Sequence, residues 1–167
     1  MKMSEGVEWA AHACALLAAL PPDRALTAEA LAAFNDLPPA YMAKHLQALR
    51  RAGLIASSRG ARGGYWLARA PGDITLRAIA EAVDGAAPAF RCTEIRQQGP
   101  CPARRAACRA PCSIARAFHA AEKAMRETLE GVTLAMICAD VAKGYKPADV
   151  ARAGAWLNDN MIERPSS

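Results

Sequence analysis

The chain has 167 residues, a formal net charge of +5, 53% hydrophobic residues, 22% charged residues and only 5% aromatic ones. That length suits one compact domain or a small domain with an appendage, and the alanine-rich, aromatic-poor balance favours helices over a β-sandwich. The apolar run Ala10–Leu20 is too short to span a membrane, and Glu5 and Glu8 precede it where a secretion signal carries positive charge. The chain is therefore expected in the cytoplasm, where thiols stay reduced and clustered cysteines serve metal binding or redox sensing.

Residues 5–20 read as a first helix stopped by Pro21 and Pro22, with an apolar stripe of Trp9, Ala13, Leu16, Leu17 and Leu20. Glu8 and His12 lie one turn apart on another face. A second helix is expected over Thr27–Phe34 with Thr27 as its cap. After Asn35-Asp36-Leu37, the pair Pro38-Pro39 opens a third helix that ends at Gly53. Met42, Leu46 and Leu49 form its inner face, which leaves Tyr41, Lys44, His45, Gln47 and Arg51 mostly outside.

Leu54-Ile55 and Tyr65-Trp66-Leu67 flank a glycine-rich turn and read as two short strands. Thr75–Val83 follows as a helix, and residues 86–112 as a loop. Ile114, Ala117, Phe118, Ala121, Met125, Thr128 and Val132 then recur at helical spacing. A lone helix with such a stripe needs a partner, which predicts dimerisation. Leu134–Ala142 and Pro147–Met161 are expected to close the chain as helices, with Arg164–Ser167 frayed. The expected fold is mainly α with a small β-hairpin wing: a winged helix-turn-helix plus a long dimerisation helix. The expected units are 1–85 for DNA binding, 86–112 for a cysteine-bearing loop, 113–145 for dimerisation, and 146–167 for a C-terminal helix and tail.

No acidic residue stands between Asp36 and Asp73, whereas Lys44, Arg50, Arg51, Arg59, Arg62 and Arg69 are all basic. Positive charge thus collects on the third helix and the hairpin, the elements that a winged helix-turn-helix presents to double-stranded DNA. Arginine and lysine supply affinity by displacing counterions from phosphates. Tyr41, Lys44, His45 and Gln47 are the candidates to reach base edges, with Arg50 and Arg51 beside them. Arg59 and Arg62 at the wing tip are placed to enter the minor groove.

Cys92, Cys101, Cys108 and Cys112 fall within twenty-one residues, among Arg91, Arg96, Arg104, Arg105 and Arg109 and a single acid, Glu94. Thiolates are soft ligands suited to zinc or iron–sulfur clusters, and nearby arginines offset the negative charge of such a unit. Cys14 and Cys138 sit in apolar helical surroundings and read as core. The serines have no His/Asp partners and no phosphate-binding glycine loop follows a strand, so the chain is not read as an enzyme and no small-molecule substrate is expected.

The run LPPAYMAKHLQALRRAGLI, the wing SSRGARGGYWLARAPGDITLRAIAEAVDG and the later cysteines resemble the winged-helix iron–sulfur transcriptional regulators of the IscR and NsrR kind, over about residues 1–142. GVEWAAHACALL, CTEIRQQGP and PCSIARA resemble still more closely the redox regulators of the RsrR kind. In such proteins one cysteine follows the helix after the wing and another precedes the dimerisation helix, places held here by Cys92 and Cys112. The chain departs from the usual pattern in two respects. The regularly spaced middle cysteine is missing, and Ala115 stands where IscR-type proteins carry a histidine.

The resemblance implies that the remaining ligands are a Glu and a His on the first helix, here Glu8 and His12. It thus implies a [2Fe–2S] cluster on Glu8, His12, Cys92 and Cys112, with Cys101 and Cys108 as alternative ligands. A four-thiolate [4Fe–4S] or zinc site is the competing arrangement. The expected function is a homodimeric regulator, a repressor, that responds to redox or nitrosative stress when a change at the cluster alters DNA affinity. The rival readings are a metal-free thiol–disulfide regulator and an iron–sulfur or zinc protein without DNA binding, an electron carrier or a scaffold.

Overall fold

Threonine hydroxyls start three of the helices. Thr27, Thr75 and Thr133 accept the amide N–H groups of Ala30, Ala78 and Met136 at 3.1, 3.1 and 3.3 Å, each satisfying a donor that a helix start leaves free. The computed structural model describes residues 3–58 and 63–164, so Arg59 and Arg62 lie outside the described residues. Its elements are α1 (Glu5–Ala18), β1 (Arg24–Ala25), α2 (Ala28–Phe34), α3 (Pro39–Arg51), β2 (Ile55–Ser57), β3 (Tyr65–Leu67), α4 (Leu76–Asp84), α5 (Ser113–Glu130), α6 (Leu134–Gly144), α7 (Pro147–Asn160) and β4 (Ile162–Glu163). The protein is mainly α-helical with a small antiparallel hairpin, as its sequence leads one to expect.

The core lies between α1, α2, α3, α4 and the start of α6, built on Leu17, Leu26, Leu31, Met42, Leu46, Leu49, Leu54, Ile74, Ile79 and Leu134. Cys14 is fully buried there, and burial pushes its thiol pKa up to about 12. Cys138 is half-buried against the same core. Both cysteines are packing residues.

The inner face of α1 differs from the expected stripe. Gly6, Val7, Ala10, Ala13, Cys14 and Leu17 are buried, while Trp9, Leu16 and Leu20 are half-exposed. Small residues win the inner positions because α3 approaches closely. A Cβ on Gly6 would lie 2.3 Å from Cε1 of His45.

Ile55, Ala56 and Ser57 pair with Leu67, Trp66 and Tyr65 to form the wing. Leu26 and Tyr65 exchange backbone hydrogen bonds of 3.1 and 2.8 Å, which joins β1 to β3. The C-terminal segment is not a free tail as far as Arg164. β4 pairs antiparallel with β1, Arg24 opposite Glu163 and Ala25 opposite Ile162, and the Arg164 N–H donates to Asp23 O at 2.7 Å. Two residues of strand are too short for periodicity to announce, and of the expected frayed end, Arg164–Ser167, Arg164 is held by this hydrogen bond. No helix among the described residues is long and apolar enough to cross a membrane.

Candidate nucleic-acid interface and cysteine loop

α3 buries Met42, Leu46, Ala48 and Leu49 and exposes Tyr41, Lys44, Gln47, Arg50 and Arg51. Five of the six DNA-facing candidates assigned to this helix thus stand on its outer side. The sixth, His45, requires a correction: it is only 4% exposed. Its ring packs on Gly6 of α1 and edge-on against Tyr41, with ring centroids 4.7 Å apart. A histidine at this position reads as polar in a sequence, but the glycine opposite leaves the space that its ring occupies.

His45 Nε2 has no hydrogen-bond partner among the described residues. Burial and the neighbouring Lys44 charge lower its pKa, and Asp84 offsets this only in part. The folded form therefore prefers the neutral ring. The unfolded chain binds a proton near pH 6.5, so stability is retained above that value and falls as the pH drops below it. Denaturant unfolding between pH 7 and pH 5 should show this loss, and a His45→Gln variant should show a flatter profile over the same range.

Arg69 is not a free basic residue of the wing. Its Nε donates to Gly53 O at 3.0 Å and its Nη2 to Ala52 O at 3.4 Å, capping carbonyls left open where α3 ends at Gly53, with φ of +67°.

The cysteine loop contains two single 3-10 turns, Ile95–Gln97 and Arg105–Cys108. Arg96 holds them together. It pairs with Glu94 through two hydrogen bonds and donates to Ala110 O at 3.0 Å and Ala107 O at 3.4 Å. Bonding to Arg96 holds the Glu94 carboxyl below its ordinary range. The guanidinium pKa is raised, first by Glu94 and also by the nearby Cys108 and Cys112. This clamp was not foreseen from the sequence, where Glu94 and Arg96 are two charges among many.

Cys112 caps α5, its Sγ accepting the Ala115 N–H at 3.4 Å. Cys92 is exposed, but the chain just before it is pinned. Phe90 stacks on Phe118 with centroids 4.7 Å apart, and Glu122, 6% exposed, accepts the Ala89 N–H at 3.1 Å. Arg126 completes the fastening, reaching Glu122, Glu81 and Ala86 O at 3.1, 3.1 and 3.0 Å. Cys112 thus stands at the N-terminal end of α5, and the segment leading to Cys92 runs along that helix from Arg126 through Glu122 to Phe118. Cys101 is exposed and Cys108 half-buried.

Glu8 and His12 are exposed on the outer side of α1. Glu8 borders a surface depression shared with Met3, Ala11, Leu76 and Leu129, so it stands by the C-terminal end of α5. Cys112 and Leu129 are seventeen residues apart along the chain, which is about 25 Å of helix at 1.5 Å per residue. Accordingly, no group of three or more His, Cys, Asp or Glu side chains suited to a metal gathers among the described residues. One chain alone brings together neither the two-cysteine, Glu and His set nor the four thiolates.

The overall arrangement has counterparts among known proteins. The profile of the Rrf2 family, described as an iron-dependent transcriptional regulator, matches residues 3–140. The HTH-type transcriptional regulator Rv1287 of Mycobacterium tuberculosis is 31% identical over 155 residues, 91% of this chain and 88% of its own length. YwgB of Bacillus subtilis is 39% identical over 85 residues, 51% of this chain; the chain spans about half the length of that relative, 54%. Among solved structures, CymR of B. subtilis superposes with a TM-score of 0.66 at 23% identity, over 83% of this chain and 97% of that one. IscR of T. potens gives 0.64 at 24% identity, over 90% and 96%. The chain belongs to the Rrf2 family of winged-helix, DNA-binding transcriptional regulators.

Proposed function

We propose that the protein is a homodimeric redox- or nitrosative-stress regulator, a repressor, whose [2Fe–2S] cluster is shared between subunits. The donor chemistry fits: two thiolates suit one iron, and an imidazole with a carboxylate suits the other. When bound, such a cluster would supply a one-electron couple and a bridge between its ligands. The observation that supports the reading is that Cys112 caps the N-terminal end of α5, whereas Glu8 stands by Leu129 near its C-terminal end. If two α5 helices pack antiparallel about a twofold axis, the N-terminal end of one lies beside the C-terminal end of the other. Glu8 and His12 then face the partner subunit's Cys92 and Cys112.

The exposed stripe on α5 supports that pairing. Ile114 is 66% exposed and Phe118 52%, an apolar face that a lone protomer leaves in water. The route to DNA runs through α1. It carries Glu8 and His12 outside and rests Gly6 on His45 of α3 inside. A shift of α1 against the partner subunit therefore moves the helix that presents Lys44 and Gln47. Dimeric readers need their two recognition helices about one DNA turn apart, so such a shift changes affinity.

The test is purification without oxygen, followed by absorption and EPR spectra and DNA binding in the oxidised, reduced and cluster-free states. Stoichiometric iron and labile sulfide with state-dependent binding are expected. Equal binding in every state contradicts sensing. A colourless protein without labile sulfide selects the metal-free thiol switch, which would draw on the same unpaired cysteines.

A further inference from the structure

The family match ends at residue 140, yet the chain beyond it folds back onto the DNA-binding unit. Trp156 of α7 meets Phe34, the last residue of α2, edge-on with centroids 4.9 Å apart. Leu157 and Met161 pack against the core. β4 then covers the outer edge of β1, which would otherwise present unpaired backbone groups. Leu26, next after β1, bridges to Tyr65, so the two-stranded sheet of β1 and β4 is tied to the separate two-stranded sheet of the wing.

Two side chains fasten the strand to the wing itself. Ile162 seats over Gly64, where a Cβ would lie 3.0 Å from Ile162 Cδ1. The Arg164 guanidinium lies over the Trp66 ring, 4.5 Å from its centroid, and its Nη1 donates to Pro22 O at 3.4 Å. Trp66 sits in the middle of β3, opposite Ala56 of β2. Arg164 thus links the turn before β1 to the face of the hairpin, with its cation turned to the ring and a carbonyl.

We propose that Arg164, held by β4, is a positioning residue for DNA binding: through the face of Trp66 it fixes the angle at which the wing meets the duplex. Without β4 the hairpin would be held by β1, by the end of α3 and by Tyr65 and Leu67 packed on the core, and any swing these leave costs entropy on DNA that a pre-set wing avoids. A cation over an indole has the strength to hold such an angle. The proposal is independent of any cluster and rests on the family's DNA-binding role.

The test uses the full chain and a duplex selected by the wild-type protein from a random pool. Arg164 is exposed, so Arg164→Ala should weaken binding about threefold, and Trp66→Leu by a similar factor. The double variant should bind no worse than either single one, because both remove the same contact. The dependence of log affinity on log salt should keep its slope, since no phosphate contact is lost. Arg164→Lys, which keeps a cation over the ring, should retain most of the binding.

Unchanged affinity in Arg164→Ala overturns the proposal. So does a salt slope reduced by about one, which marks Arg164 as a direct phosphate contact. Losses that simply add in the double variant also overturn it. If Arg164→Ala lowers the thermal midpoint, the lysine variant decides: recovered binding supports positioning, and a loss equal to that of alanine refutes it.

Discussion

Changing Cys92 or Cys112 to alanine should strip the anaerobically purified protein of iron and labile sulfide, while the same change at Cys101 or Cys108 should leave ~two of each per chain. The contrast follows from where the thiols stand. Cys112 caps α5 at a helix N-terminus, where free N–H groups and the helix dipole favour an anionic ligand. Cys92 follows a segment tied to α5 through Phe90–Phe118 and Ala89–Glu122. Cys101 is exposed, in a mostly exposed stretch between the two 3-10 turns. Cys108 ends the second turn, beside the Arg96 clamp. Loss of iron in the Cys101 or Cys108 variant would instead favour the four-thiolate site. Colorimetric iron and sulfide determination with the visible spectrum reads the result directly.

Phe118→Asp should break the dimer and with it most of the DNA affinity. Phe118 is already stacked on Phe90, so its ring is held in place with 52% of its surface still open. In the proposed antiparallel α5 pairing that surface is covered, and a carboxylate there must be desolvated without a counter-charge. Such a burial costs about 3 kcal/mol or more, or at least about a hundredfold in the dimer dissociation constant. Sedimentation at micromolar concentration should show a dimer for the wild type and a monomer for this variant. Phe118→Leu, which keeps an apolar side chain, should remain dimeric. A Phe118→Asp protein that stays dimeric would place the interface elsewhere.

The helical frame of the chain is legible because its signals are local. Thr27 and the Pro38-Pro39 pair start helices where they are read to start, Thr75 rather than Asp73 caps α4, and Gly53 ends α3 with the positive φ its position requires. The outward set Tyr41, Lys44, Gln47, Arg50 and Arg51 follows from the 3.6-residue period alone. What the period does not give is what lies opposite a residue. His45 is buried because Gly6, thirty-nine positions earlier, leaves a slot for its ring. Arg69 caps α3 across the wing, and Arg96 fastens two turns whose carbonyls carry no sequence signature. β4 has only two residues and a partner near the other end of the chain. The Glu8, His12, Cys92 and Cys112 set came from resemblance, and one protomer keeps its halves a helix length apart.

That separation yields the most direct test of the shared site. A mixed dimer is made from one chain carrying Glu8→Ala and His12→Ala and another carrying Cys92→Ala and Cys112→Ala, each with its own affinity tag. If ligands come two from each subunit, one of the two sites in the mixed dimer keeps all four, and the protein should hold about half the wild-type iron and sulfide with the wild-type spectrum, while both variant homodimers hold none. A mixed dimer as empty as the two homodimers, beside a fully loaded wild type, would contradict the account.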